Sequence, residues 1–494
     1  MRLTFRHMLV FVRSGSVLSR ALLMIFCCSF FSTMASASPP IGGVTSDWSM
    51  AETEHFRYRV QSPDSEDATN FAANYGPYLE LGLNELTLLF PAGTPATTIS
   101  VYVYTNSEAF DTAVSANPRR ELGSIVVRAD GATVDLSLLQ PQFEKLSLVE
   151  AENDLRHSLS HIVTSIASGG MIPWGFDEGI AQYVERPVNE RLARTAALVQ
   201  TANETDKLLS WFDMNAQNPA DDPSQAAAQS YATVAFLIDR YDLVPLRAFL
   251  TALQTESTWR AAMTIAYARD PNAIEDQFRE DLRRWTSTKW RDNLVSGFNL
   301  EPAKRLLDQA NYNAAKTKLE PSLELYGQLN APAAFESIKQ MVAQCDVGIQ
   351  AESLMTQAHD ALMQHAYERA QNLLAQARLQ FGMLPETQQP TELLATYEQL
   401  ALHGVNAGAK LDSADLLGLS WRDYVDARDA AVSAGTSFAS LGDTDESTRA
   451  QSLVDDLDKR QRRIVMSLGA LAVLTFIWLA LWLRARGPAE LDWR

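Results

Sequence analysis

The sequence predicts an α+β domain, followed by an all-helical region and one transmembrane helix. Between residues 44 and 290, short segments that alternate apolar and polar residues are interleaved with segments that repeat apolar residues at helical spacing. Residues 300–458 are rich in Ala, Leu and Gln and poor in β-branched runs, which favours helices throughout. Residues 464–483 are an uncharged run of 20 residues, which is long enough to cross a bilayer as a helix.

The elements of the first region follow from these periodicities. The predicted strands are residues 55–60, 99–104, 124–128 and 132–138. The predicted helices are residues 68–90, a short helix after Ser107, two helices between residues 155 and 185, and residues 230–241 and 271–285. Taken together, these elements predict one domain over residues 44–290.

Two stretches of residues 300–458 resemble tetratricopeptide-like hairpins. One contains Tyr312 and Leu319, and the other contains Tyr367 and Leu374. Repeats of that type place small residues where helices cross closely, and they stack to form binding grooves. The two stretches are 55 residues apart, whereas a regular array repeats about every 34 residues. A helical stalk that separates the first domain from the membrane is therefore the alternative interpretation.

Residues 1–37 are predicted to be a secretory signal peptide. They contain a basic leader, an apolar core over residues 21–31 and a cleavage site at Ala35-Ser36-Ala37. Two of the three cysteines lie in this segment, so Cys345 alone remains after cleavage and we expect a fold without disulfides.

A cleaved signal followed by one late span predicts a single-pass protein of the plasma membrane. The large N-terminal part is then extracytoplasmic and residues 484–494 form a cytoplasmic tail. Basic residues flank the span on both sides, so the signal peptide decides the predicted orientation.

The net charge excludes one class of partner. The chain carries −18, and both the leader and the residues from Lys459 onward are net positive, so the part between them is more acidic still. Such a surface does not bind nucleic acid through phosphate contacts. The predicted partners are a peptide or protein ligand and, through the C-terminal helix, the membrane.

The stretch from residue 155 to 185 contains the candidate chemistry. His157 and His161 are four residues apart, so on a helix they lie one turn apart on the same face. Glu178 lies in a second predicted helix, after a turn that contains Gly169 and Gly170. Two imidazoles and one carboxylate leave a tetrahedral zinc with one open position, as in catalytic sites. A helix-packing role for the histidines, and a helix N-terminal charge for Glu178, are the alternatives.

This stretch resembles the gluzincin zinc metallopeptidases, in particular the peptidase MA-like group. In that family the first helix carries His-Glu-x-x-His, and the second carries a glutamate ligand in an E-G-x-A-x-Y motif. The resemblance implies a zincin-like fold for residues 44–290 and a Zn²⁺ cofactor held by His157, His161 and Glu178. The structural part of the second motif is matched by Gly179, Ala181 and Tyr183.

One position departs from the family pattern, because Ser158 stands where the family has its general-base glutamate. That glutamate takes a proton from the zinc-bound water and passes it to the leaving amine. A serine is not basic at neutral pH, and its side chain is too short to reach the zinc-bound water. We therefore expect weak or absent peptide hydrolysis, and the chain is either a pseudo-enzyme that binds zinc or a scaffold that binds peptide or protein.

The resemblance implies two further sets of residues. The strand before the metal helix is an edge strand that pairs with substrate in zinc peptidases, and residues 132–138 are the candidate, with Ala132, Val134 and Leu136 as contacts. Tyr231, on the predicted helix over residues 230–241, is a candidate to stabilise an oxyanion, with core packing as the alternative.

Overall fold

The computed structural model describes residues 48–115, 120–122, 125–129, 134–216, 223–282, 293–415 and 420–485. The predicted signal peptide lies outside these described residues, as do Ala132 and most of the predicted cytoplasmic tail. The predicted fold class is confirmed: an N-terminal α/β region is followed by a helical region and one long apolar helix. By its internal contacts the chain divides into two units, with residues 1–298 and 328–331 in the first.

The first unit contains a six-stranded mixed sheet with the order β1-β2-β3-β6-β5-β4. The strands are β1 (Trp48–Glu52), β2 (Phe56–Gln61), β3 (Ile99–Tyr104), β4 (Arg120–Leu122), β5 (Ile125–Ala129) and β6 (Val134–Leu139). Strands β2, β3 and β6 run parallel, whereas β1, β5 and β4 each pair antiparallel with a neighbour. Alternation places every second side chain of β2 and β3 in the core, as the sequence predicts.

The segment predicted to be a substrate-binding edge strand is an internal strand in the structure. The described part of that segment, β6, pairs with β3 on one side and with β5 on the other, so it has no free edge. Leu136 is fully buried, and Val134 is half-buried at the start of the strand. The hairpin of β4 and β5, which precedes β6 in the chain, lies outside β6 in the sheet, and β4 is the edge strand on this side. Neither Val134 nor Leu136 can therefore pair a peptide backbone along an open edge.

Helices cover the sheet and build the rest of the first unit. They are α1 (Ser65–Leu89), α2 (Ser107–Ser115), α3 (Gln140–Phe143), α4 (Leu148–Ser168), α5 (Trp174–Tyr183), α6 (Asn189–Glu204), α7 (Trp211–Met214), α8 (Pro223–Tyr241), α9 (Leu243–Leu253), α10 (Trp259–Tyr267) and α11 (Pro271–Leu282). The two that position the candidate site are α4 and α5.

The bounds of α4 follow from its sequence. Ser147 and Glu150 form a capping box that satisfies backbone N–H groups at the start of the helix. The helix ends at Gly169, which has φ 62°, and Gly170 follows with φ 78°. Two successive positive φ values favour glycine, because a Cβ is strained in this conformation. This turn reverses the chain so that α5 packs against α4.

The second unit is helical. Its helices are α12 (Glu301–Asp308), α13 (Tyr312–Gln328), α14 (Pro332–Met363), α15 (Tyr367–Phe381), α16 (Thr391–Asp415), α17 (Trp421–Ser440) and α18 (Thr444–Ala485). Helix α18 contains the predicted span and is long and apolar enough to cross a membrane. Apolar side chains of its second half, such as Leu474, Phe476 and Trp478, are exposed.

The two hairpins that resemble each other in sequence also pack alike. The ring of Tyr312, at the start of α13, lies against Gly348 in α14, and the ring of Tyr367, at the start of α15, lies against Gly404 in α16. In both cases a Cβ on the glycine would overlap the ring. The second unit therefore repeats one packing arrangement, with its tyrosines 55 residues apart and its glycines 56 residues apart. Its assignment to the tetratricopeptide class stays a prediction.

Candidate metal centre

The two histidines of α4 face the same side of the helix and are almost completely buried. His157 is 2% exposed and His161 is 5% exposed. Their ring centroids are 4.9 Å apart, with the planes nearly perpendicular. Spacing of four residues on one helix produces this arrangement directly, so the sequence prediction of adjacent imidazoles agrees with the structure.

Glu178 reaches the histidines from α5. Its Oε2 lies 3.6 Å from His157 Nε2 and 3.9 Å from His161 Nε2. One ligand atom from each of the three residues lies within 4.8 Å of the others. Gly179 lets helix α5 pack closely on α8, because a Cβ at this position would overlap the backbone of Ser230. The structure therefore brings together the three residues that the sequence predicts as ligands.

Each imidazole is oriented by a carboxylate on its other nitrogen. His157 Nδ1 is 2.9 Å from Glu185 Oε1, and His161 Nδ1 is 2.8 Å from Asp177 Oδ2. Thr164 donates a hydrogen bond to the second oxygen of Asp177. Carboxylates in this position fix the tautomer of a ligating histidine and make it a stronger base. Both Nε2 atoms are thereby left for the side where Glu178 lies.

The carboxylates themselves are also held. Gln182, one turn along α5, donates to Glu178 Oε1 at 2.8 Å, so Oε2 is the oxygen that faces the histidines. Arg191 in α6 donates to Glu185 Oε2 at 2.9 Å, while the other oxygen of Glu185 contacts His157. In each of these two carboxylates, one oxygen therefore faces a histidine and the other accepts a hydrogen bond from a different side chain.

The electrostatics of the cluster favour a cation. Burial alone would lower the pKa of His157, but hydrogen bonds and charges from Glu178 and Glu185 raise it to about 10. Burial would raise the pKa of Glu178, but the hydrogen bond and charge of His157, with the charge of His161, lower it to about 2. In the absence of metal, a proton on His157 supplies the positive charge that these carboxylates stabilise.

The donor set fits zinc. Two imidazole nitrogens and one carboxylate oxygen are the ligands of catalytic zinc sites that keep a fourth position open. Zinc bonds of about 2.0–2.1 Å in a tetrahedral arrangement separate ligand atoms by about 3.3 Å. The observed separations of 3.6 Å and 3.9 Å are close to this value. Small side-chain movements would therefore complete the coordination.

Ser158 does not provide a base at this site. Its side chain is fully buried, and its Oγ has no hydrogen-bond partner among the described residues. Asp154 lies one turn before His157, and burial raises its pKa to about 6, against the charge of Arg191 and with that of Glu185. Glu185 bonds Nδ1 of His157, whereas Glu178 lies near Nε2. Asp154 interacts with Glu185 and Arg191, so it does not take the role of the missing glutamate.

Tyr231 is part of the packing between α5 and α8. It is buried, and its ring centroid lies 6.1 Å from that of Tyr183. Burial raises its pKa, and the charge of Glu185 adds to this effect. These contacts agree with the packing alternative, and its role toward an oxyanion stays a prediction.

Sequence reasoning missed the two carboxylates that hold the histidines. Asp177 precedes a ligand, and Glu185 follows the end of α5 at Tyr183. Their signal was present as three acidic residues within the nine positions 177–185. Which of these acids faces a histidine depends on how α5 ends and how it packs on α4, and periodicity does not determine this.

Comparison with known families agrees with the geometry. Residues 87–284 match the family model described as Peptidase MA superfamily. No curated protein and no solved structure gives a significant match to the chain. The resemblance predicted from the sequence is confirmed for this segment, which contains all three candidate ligands. Residues 87–284 are therefore similar to the Peptidase MA superfamily, which supports a peptidase-like segment in this part of the chain.

Proposed function

We propose that this protein is a membrane-anchored, extracytoplasmic zinc-binding protein with a metallopeptidase-like domain and weak or lost peptide hydrolysis. The convergence of His157, His161 and Glu178, with a carboxylate on the outer nitrogen of each imidazole, is the observation that supports it most. A structural site would use a fourth protein ligand. Within the described residues the cluster contains three, which favours an open position for water or substrate.

The residues of the site have distinct parts in this proposal. His157 and His161 would present Nε2 to the metal, and Glu178 would present Oε2. Glu185 and Asp177 would keep the imidazoles oriented, and they would offset the positive charge. When bound, zinc polarises a peptide carbonyl and lowers the pKa of bound water.

The weak step is proton transfer. A positioned general base typically contributes about 10²–10⁴ in rate. Ser158 is buried, is not basic and accepts no hydrogen bond from the described residues. Ser158 would therefore not take the proton of the attacking water. Binding without turnover, or with slow turnover, follows.

The location is proposed from the two ends of the chain. Helix α18 is long and apolar enough to span a bilayer, and residues 1–37 have the pattern of a signal peptide. Together they favour a single-pass protein of the plasma membrane whose large N-terminal part is extracytoplasmic.

The variant Ser158→Glu tests the functional proposal. We expect it to hydrolyse a generic peptide library at a rate at least about 10²-fold above the parent chain, and a chelator should abolish this activity. The matched control is Ser158→Gln, which adds similar volume to the same buried position without a base. Equal inactivity of both variants with zinc bound would contradict a competent peptidase cleft.

A second function is supported by a different observation. The second unit repeats the same tyrosine-on-glycine packing in two hairpins, as helical-repeat binding proteins repeat their contacts. In this alternative the chain is a scaffold or receptor that binds a peptide or protein without cleaving it. Tight binding of a peptide by the parent chain, unaffected by removal of zinc, would favour this alternative.

A further inference from the structure

The residues on either side of Glu185 are tied to α4 by two buried side chains. Asn153 accepts a hydrogen bond from the backbone N–H of Arg186 at 2.7 Å and donates to its carbonyl at 3.1 Å. Arg156 donates from Nε to the carbonyl of Val184 at 2.9 Å. Both side chains are at most 1% exposed. Three hydrogen bonds from one helix therefore flank the single residue that contacts His157 Nδ1.

These ties matter because Glu185 lies beyond the last residue of α5. Its own backbone N–H makes one long bond, of 3.3 Å, to the carbonyl of Gln182. The position of its backbone is thus set mainly by where Val184 and Arg186 are held, while Arg191 bonds the carboxylate itself. Asn153 and Arg156 precede His157 on the same helix, so they place Glu185 relative to that histidine directly.

A buried charge network keeps Arg156 in place. Glu85, in α1, accepts from Arg156 through Oε2 and from Arg186 Nη2 through Oε1, the latter at 3.0 Å. Arg186 also bonds Glu152 at 3.1 Å. Gly82, one turn before Glu85, lets the stem of Arg156 approach α1 closely. Buried ion pairs add little net stability compared with apolar packing, which favours a geometric role for this network.

We propose that Asn153 and Arg156 are positioning residues for the metal centre, which hold Glu185 against Nδ1 of His157. This inference rests on the proposed zinc site, but it concerns how the chain orients one of its ligands. Loss of either side chain would let the segment from residue 184 to 186 move away from α4. His157 would then lose the partner that fixes its tautomer.

A double-mutant cycle on the full-length chain in detergent tests the proposal. Zinc affinity is measured by competition with a chromophoric chelator for the parent, Asn153→Ala, Glu185→Ala and the double variant. We expect Glu185→Ala to weaken zinc binding about 10–100-fold and Asn153→Ala about tenfold. The double variant should bind no more weakly than Glu185→Ala, because Asn153 acts through Glu185. Additive losses, or parent-like affinity of Asn153→Ala, would overturn the proposal.

A control variant separates positioning from stability. Arg247→Gln removes another side chain that bonds the backbone, because Arg247, half-buried in α9, donates to the carbonyl of Leu89 away from the site. It should lower thermal stability without changing zinc affinity. If Asn153→Ala does not fold, Asn153→Asp, which keeps the acceptor for Arg186 N–H, replaces it, and an effect on zinc affinity smaller than twofold would count against the proposal.

A readout without zinc distinguishes failure of this inference from failure of the zinc site. In the metal-free protein the Nδ1 proton of His157, bonded to Glu185, should give a downfield proton resonance. Asn153→Ala should broaden or remove it, whereas Arg247→Gln should not. If the resonance is lost in Asn153→Ala and kept in Arg247→Gln, but the parent chain binds no zinc, the proposed function would be overturned and the positioning role would stand.

Discussion

Around the candidate metal centre the first unit buries charged side chains, whereas the second unit buries mostly small and apolar ones. His157, Arg156 and Glu85 are each no more than 5% exposed. In the second unit the main core is built from alanine, leucine and single large rings such as Tyr312. Burial of charge costs free energy unless each group is paired. In the first unit the buried charged groups lie at and near the place where a cation would bind. Among its described residues, the second unit has no cluster of His, Cys, Asp or Glu that could hold a metal ion.

The units also differ in how specific contacts are used. In the first unit, hydrogen bonds join residues that occur once, such as Asn153 and Arg186. In the second, one packing contact occurs twice: the ring of Tyr312 lies against Gly348, and the ring of Tyr367 lies against Gly404. We therefore expect variants in one unit to change metal binding and variants in the other to change only stability.

The largest expected effect is on the repeated packing of the second unit. Gly404→Ala places a Cβ inside the ring of Tyr367, and overpacking of this kind costs about 1–3 kcal/mol. Hydrogen exchange over α15 and α16 should accelerate, while zinc affinity should be unchanged. A change in zinc affinity would contradict the separation of roles between the units.

The next effect concerns the outer carboxylate of His161. Asp177→Asn keeps the shape of the side chain but removes the charge that faces Nδ1. Loss of such a partner typically weakens metal binding about 10–100-fold, and chelator competition measures it. Hydrogen exchange over α15 and α16 should stay at the parent rate. Parent-like zinc affinity would show that the carboxylate does not orient the histidine.

A smaller effect is expected on the pH dependence of the metal-free first unit. The pKa of His157 is raised from 6.5 to about 10. Its proton therefore stabilises the fold fully below the unfolded-state pKa of about 6.5, and this contribution is lost as the pH rises toward 10. Thermal unfolding of metal-free protein should shift to lower temperature between pH 7 and pH 10.

Zinc should remove this dependence, because the metal replaces the proton on His157. Binding at pH 8 should release about one proton per ion, which calorimetry in buffers of different ionisation enthalpy measures. A metal-free protein whose stability does not fall over this range, or binding without proton release, would contradict the charge assignment.

The smallest effect is a stabilisation that serves as the control for Gly404. Gly408 lies one turn along the same helix, and a Cβ there meets no atom within 4 Å. Replacement of glycine by alanine inside a helix stabilises by about 0.5–1 kcal/mol. Chemical denaturation of Gly408→Ala should show an increase of that size. Destabilisation would mean that the second unit is packed more tightly at this position than the structure shows.

The sequence predicted the parts of the fold that depend on local periodicity. Strand β3 has the predicted bounds, and helices appear at each predicted position within the described residues. The ligand triad was also predictable, because His157 and His161 share a helix face and Glu178 belongs to a recognisable motif. These features need only spacing along the chain.

What could not be predicted depends on contacts between distant segments. The predicted edge strand is internal because the hairpin of β5 and β4 adds outside β6. The network around Arg156 joins it to Glu85, 71 residues earlier in the chain. Contacts between residues far apart in the chain produce no periodic pattern. The sequence therefore did not indicate the role of Asn153 or Arg156.

Zinc content tests the central claim most directly. Elemental analysis of the purified full-length chain, beside His157→Ala, should find about one zinc per chain in the parent and much less in the variant. That result would establish the three converging side chains as a metal centre. A parent chain that holds no zinc, even after zinc is supplied, would contradict it and favour the scaffold function.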